Sequence, residues 1–128
     1  MKEDSFEDFI DSRQIKKLWN RYKNMAKKRN LIFRLTKGHF AELITDACFY
    51  CGKSPSKILK GWNYQTKKLE IFKYNGIDRI DSTQGYELGN CVPCCWRCNM
   101  MKSNMSYKNF KKHIKKIYHY WAGRGDVL

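Results

Sequence analysis

From residue 12 to residue 30, apolar side chains return at helical spacing. Ile15, Leu18, Trp19, Tyr22, Met25 and Ala26 fall on one face, and Lys16, Lys17, Arg21, Lys23, Lys27, Lys28 and Arg29 fill the remainder. This pattern predicts an amphipathic basic helix, whose lysine face is either merely solvated or tracks phosphates. Residues 31–35, Leu-Ile-Phe-Arg-Leu, read as a short strand, and Thr36 offers an N-cap to a helix running through His39, Phe40, Leu43 and Ile44. Residues 54–73 have the weakest pattern. They read as an insertion with one short strand at 69–72, in which Trp62 and Tyr64 serve either as exposed stacking residues or as local packing. From Gly76 the alternation sharpens into a strand at 77–81, a turn through Ser82-Thr-Gln-Gly85, a returning strand toward Pro93 and a helix from near Arg97. After Asn104, Ser106 caps a last helix with Phe110, Ile114, Ile117, Tyr118 and Trp121 on one side, and Gly123 and Gly125 end it.

Two strands and a helix closed by cysteines make a compact ββα unit, so the fold class is α+β. The length of 128 residues supports a single domain. Within it, residues 1–46 form a helical region with a short strand, 47–105 a cysteine-stapled core and 106–122 a basic C-terminal helix.

Charge narrows the partners. Lys plus Arg number 26 against 12 Asp plus Glu, a formal net charge of +14, and such a surface attracts polyanions. Nucleic acid is the first candidate, with DNA preferred over RNA. A membrane is not expected, because no apolar run approaches the length of a spanning helix. The acidic opening, Met1-Lys-Glu-Asp-Ser-Phe-Glu-Asp, has no signal-peptide character, so an intracellular site in the cytoplasm or nucleoid of a host cell is expected rather than secretion.

The six cysteines sit in tight CxxC steps instead of being spread over loops, which favours a metal over a disulfide framework. A two-residue gap lets both sulfurs of a CxxC corner face one zinc ion. Cys48-Phe-Tyr-Cys51 supplies one corner, and Gly52 just after it permits the required backbone reversal. Cys91-Val-Pro-Cys94 and Cys95-Trp-Arg-Cys98 both have the spacing for the other. We favour Cys95 and Cys98, at the start of the expected helix, with Cys91 and Cys94 as small buried hydrophobes on the returning strand. Four thiolates leave no open coordination position, so this zinc would be structural.

Tyr50-Cys51-Gly52, Tyr74-Asn-Gly-Ile-Asp-Arg-Ile-Asp81, Gly85-Tyr86, the run from Asn90 to Asn99 and Lys102 carry a resemblance. In this order they resemble the HNH endonuclease family, in particular a phage and large-virus branch with a Gly-Ile-Asp-Arg core. The resemblance spans roughly residues 31–110 and implies a ββα-metal fold, stapled by zinc, that sets a catalytic Mg²⁺ or Mn²⁺ against a scissile phosphate. It implies that Asp78 and Asn99 hold that ion and that Asn90 ties the loop between the strands. Arg79 departs from the pattern, because most members carry a general-base histidine there and a guanidinium does not accept a proton at neutral pH. Arg79 would suit stabilisation of the phosphate charge, and Asp81, two residues along a strand, would orient or deprotonate the attacking water. His39, His113 and His119 are remote in sequence and are read as ordinary helix residues.

The expected function is therefore that of a divalent-metal-dependent endonuclease, with Lys102 and the helix lysines Lys108, Lys111, Lys112, Lys115 and Lys116 contacting nucleic acid. The alternative is an HNH-derived zinc module without catalysis that binds DNA, RNA or a host or viral protein complex as a regulator.

Overall fold

The computed structural model describes residues 12–125; the acidic opening segment read above lies outside the described residues. Helix α1 (Arg13–Lys28) is capped by the Ser12 hydroxyl, which accepts from the Ile15 N–H. It turns Ile15, Leu18, Tyr22 and Ala26 inward, as the periodicity required. Asn30 ends it in the left-handed region, at φ 59, while Leu31 N donates to Ala26 O at 2.8 Å and Asn30 N to Lys27 O at 3.1 Å. This reciprocal pair is the Schellman stop.

Residues 31–35, expected as a strand, make only a single parallel bridge, Phe33 to Tyr86. That bridge is possible because of Gly85. A Cβ added there would lie 2.4 Å from the Ile32 carbonyl oxygen. Gly85→Ala should therefore lower stability by about 1–3 kcal/mol through overpacking, and a shifted denaturation midpoint with an unchanged slope would register it.

Helix α2 (Lys37–Thr45), capped by Thr36 as expected, buries Phe40, Ala41 and Ile44. Residues 54–73 then depart from the expectation of one strand. They form β1 (Lys57–Asn63) and most of β2 (Lys68–Tyr74), an antiparallel ribbon in continuous register from Lys57↔Tyr74 to Asn63↔Lys68. Asn63 shapes its turn: its Oδ1 accepts from the N–H groups of Gln65 at 2.9 Å and Thr66 at 3.1 Å, and Lys67 takes a positive φ of 54.

Strands β3 (Gly76–Arg79) and β4 (Cys91–Cys94) pair antiparallel, with Asp78 opposite Val92 and Arg79 opposite Cys91. A short helix, α3 (Trp96–Lys102), follows directly and completes the ββα unit. The main core joins α1, α2 and both sheets through Ile15, Leu18, Phe40, Ile44, Tyr74 and Ile77, with Tyr22 edge-on to Phe40 at 5.4 Å and to Tyr86 at 5.9 Å. Cys48, Cys94, Cys95 and Cys98 form a second, smaller cluster against Tyr50.

The last helix, α4 (Tyr107–Gly123), does not lay its apolar side on the body as its periodicity suggests. Phe110 alone of its residues is buried, and Ile114, Ile117, Tyr118 and Trp121 are exposed along with its lysines.

Candidate active site

The cysteine knot sets the frame. Gly52, at φ 76, turns the first corner so that its N–H donates to the Cys48 carbonyl at 2.8 Å. Cys95 caps α3 through its own sulfur, which accepts from the Cys98 N–H. The four sulfurs of Cys48, Cys51, Cys95 and Cys98 lie within 4.8 Å of one another, and Cys51 Sγ is 3.7 Å from Cys95 Sγ. Sulfurs arranged tetrahedrally at the usual zinc distance of about 2.3 Å stand about 3.8 Å apart, so the four fit one metal ion. Burial works against the Cys48 thiolate, but the backbone N–H groups of Cys95, Cys51 and Tyr50 outweigh it and bring that thiol down to about 6. Cys91 lies instead in the main core, where burial pushes its thiol up to about 12. Cys94 is also buried and directs its sulfur to the Cys95 carbonyl.

The knot fixes α3 against β3, and one polar cavity of about 270 Å³ opens between them. Asp78, Arg79 and Asn99 all line it, so the neighbours Asp78 and Arg79 on β3 meet a residue of α3 from well beyond them in the chain around one space. Arg29 from the end of α1, Lys57 from the root of β1, Tyr22, Ser82 and Ser103 add to the polar lining. None of His39, His113 and His119 is among the lining residues.

Asp78 is almost fully buried, and its carboxylate is divided between two duties. Oδ2 accepts a 2.6 Å hydrogen bond from the Tyr50 hydroxyl and lies 3.1 Å from Lys102 Nζ, while Oδ1 keeps only a 3.5 Å contact to the same ammonium. Burial, and then the bond to Asp78, drive the Tyr50 phenol well above its ordinary range, so it remains a donor. Lys102 corrects the sequence reading. It was expected to contact nucleic acid, yet its side chain is fully buried, ion-paired to Asp78 and hydrogen-bonded to the Arg79 carbonyl at 3.2 Å. Its position in the last turn of α3 points it under the hairpin instead of into solvent.

Arg79 Nη1 donates to the carbonyls of Ser82 at 2.6 Å and Gln84 at 2.8 Å, and the guanidinium lies 5.4 Å from the Tyr86 ring centre. These bonds fix one end of the fork. Asn90 ties the same loop: its Oδ1 accepts from Asp81 N, and its Nδ2 donates to the carbonyls of Asp81 and Gly85. Asp81 does not share a strand face with Arg79, because β3 has already ended. Its exposed carboxylate accepts from the Thr83 hydroxyl at 2.6 Å and the Thr83 N–H at 2.9 Å, the hydroxyl bond being the main reason its pKa is lowered. It acts in the turn and does not line the cavity. Lys108, Lys111, Lys112, Lys115 and Lys116 are exposed on α4.

Sequence reasoning missed Arg29, Lys57, Tyr22 and the Tyr50 bond. Arg29 reads as one more cation on a solvated helix face, and Lys57 falls in the stretch with no clear period. Only the match of Tyr50 within the first cysteine corner offered a signal.

No protein-family model matches the chain. An uncharacterized protein of Acanthamoeba polyphaga mimivirus is 34% identical over 101 residues, 79% of this chain, and the chain spans 16% of that relative's length. Among solved structures, the rare-cutting HNH restriction endonuclease PacI superposes with a TM-score of 0.55 at 27% identity, covering 85% of this chain and 80% of the other. The fold is HNH-like. In this HNH-like frame the ββα unit comprises β3, β4 and α3, and the four-cysteine cluster sits where α3 begins. The ribbon β1–β2 immediately precedes it. Among the described residues no helix is long and apolar enough to cross a membrane.

Proposed function

We propose that this chain binds nucleic acid and hydrolyses phosphodiester bonds, with zinc in the cysteine cluster and a second divalent ion, Mg²⁺ or Mn²⁺, beside Asp78 and Asn99. The observation that carries the reading is the shared cavity, in which a carboxylate and a carboxamide face the cations of Arg29, Lys57 and Arg79. Its donors suit a hard cation. Asp78 Oδ1 and the Asn99 amide oxygen would hold it, leaving its remaining positions to water and phosphate oxygens. Such an ion would supply Lewis-acid polarisation of the phosphate and of water.

The protein's own residues do the rest. Arg29, Lys57 and Arg79 bind the phosphate and offset the negative charge that builds on it during displacement. Tyr50 and Lys102 hold the Asp78 carboxylate in one orientation. Tyr22 is no substitute for the missing histidine, because burial raises its phenol to about 12. Exposed lysines on α1 and α4 attract the backbone, and affinity should fall steeply between low and physiological salt.

A plasmid and a structured RNA, each incubated with Mg²⁺, Mn²⁺ or EDTA, test this. Metal-dependent nicking that slows about a hundredfold in Asn99→Ala is the expected result. One pair of facts favours the competing reading of a binding module without catalysis: Arg79 stands where a base is usual, and Lys102 already neutralises Asp78. Salt-sensitive retention with no nicking under any metal would establish that reading instead.

A further inference from the structure

The β1–β2 ribbon carries an unusual outward face. On it the cross-strand pairs are Ile58 with Lys73, Lys60 with Ile71 and Trp62 with Leu69, so a cation sits beside an apolar group on two rungs and two apolar groups meet on the third. All six are exposed, the apolar ones at 46–56%, and Tyr64 at the tip reaches 78%. Isolated exposed apolar residues need no explanation, but four on one small face together mark a contact surface.

The other face is anchored. Leu59 and Phe72 pack on the main core, and Glu70 accepts from Asn63 Nδ2 at 2.7 Å and from Gln14 Nε2 on α1 at 2.9 Å. Arg13 also reaches the Trp62 carbonyl. The ribbon is thus tied to α1, and its one acidic residue, Glu70, is turned away from the outward face. Lys57, Lys60, Lys67, Lys68 and Lys73 are its charges of the other sign.

We propose that this face is a DNA-reading element that enters the major groove beside the cut site. The inference rests on the nucleic-acid function proposed above and goes further by choosing duplex DNA over duplex RNA. The argument is one of shape and charge. The major groove of B-DNA, about 12 Å wide, admits a two-stranded ribbon, whereas the deep, narrow major groove of A-form RNA does not. Lys60 and Lys73, on adjacent rungs, suit phosphates or guanine edges, and Ile71, Ile58 and Leu69 suit thymine methyl groups. An apolar protein partner would have to bury both central lysines without a counter-charge.

Lys57 lines the cavity while Trp62 stands toward the far end of the same strand and Tyr64 in the turn just beyond it. At about 3.3 Å per residue the tip lies roughly 20 Å from the cavity, so it would meet DNA several base pairs from the cut. Trp62 and Tyr64 present aromatic faces there.

The test uses the full, zinc-loaded chain with a labelled DNA duplex and an RNA duplex of matching sequence, titrated by fluorescence anisotropy at several salt concentrations. Lys60→Ala/Lys73→Ala should weaken DNA binding about tenfold and reduce the salt slope by about two, one per phosphate contact. Trp62→Ala should weaken DNA binding while leaving the circular dichroism spectrum unchanged, since the side chain is half-exposed. Both variants should leave the weaker RNA binding almost untouched. Wild-type DNA affinity and slope in the lysine pair would overturn the proposal, as would equal losses on RNA, or a Trp62→Ala change in sedimentation mass that reveals a contact between copies. Nicking kept by the parent under any of those results would spare the cavity reading. A parent that binds neither duplex would overturn both.

Discussion

Cys98→Ser protein is expected to be purified without stoichiometric metal and to show no cooperative melting. The reason lies in the size of what the knot holds. Helix α3 has seven residues, and β3 and β4 have four each. Isolated helices below about 12–15 residues are marginal in water, so α3 cannot supply its own stability. A structural zinc site contributes an apparent 10–16 kcal/mol or so, about as much as the whole stability of an ordinary domain. Losing one of four thiolates forfeits much of that. Cys91→Ser is the control, because it places a hydroxyl in the main core at a cost of about 1–3 kcal/mol and leaves the metal in place. Metal content by mass spectrometry, measured beside a thermal melt, checks both variants. Comparable metal loss from Cys91→Ser would contradict the assignment of the four ligands.

The second large effect is expected at the buried ion pair. Lys102→Ala leaves the Asp78 carboxylate almost fully buried with Tyr50 as its remaining partner, and removing one side of such a pair costs about 3–5 kcal/mol. Asp78→Asn alone strands the ammonium instead and should cost a similar amount. The double variant Asp78→Asn/Lys102→Met replaces both charges with neutral groups of similar shape and should regain most of the stability. It should fold yet not nick DNA, separating the structural duty of the pair from the duty of Asp78 in the cavity. Denaturant titration of the two single variants and the double variant gives the coupling. If Lys102→Ala kept full stability and merely lost salt-sensitive affinity, Lys102 would be a phosphate contact after all.

Lys102 also shows where sequence reading reaches its limit. One lysine in a strongly basic chain looks like every other, and only the packing of α3 beneath β3 decides that this one is enclosed. The helices were legible because capping and periodicity are local: Ser12, Thr36 and Ser106 each accept from an N–H three residues on. The metal corner was legible because two residues between cysteines admit few geometries, and the choice of Cys95 over Cys91 followed from where a helix would start. The β1–β2 ribbon was hard to read because both of its faces carry apolar residues, Leu59 and Phe72 inward and Ile58, Trp62 and Ile71 outward, so no clean alternation marks the inner side. Asp81 misled for a different reason. The strand period held for Asp78 and Arg79, then stopped when Asn90 drew the chain into a turn. The cavity cations Arg29 and Lys57 come from elements that only the tertiary fold brings beside the hairpin.

Tyr50 has two neighbourhoods. Its hydroxyl holds Asp78, and its ring packs edge-on to Phe110 at 5.3 Å and lies 6.2 Å from Tyr107, where α4 leaves the body. With 17 residues, α4 is an arm about 25 Å long, anchored by one buried phenyl. Were a polymer bound along its free end, the load would bear on the very phenol that steadies the carboxylate, so grip at a distance and alignment at the cavity would share a single fulcrum.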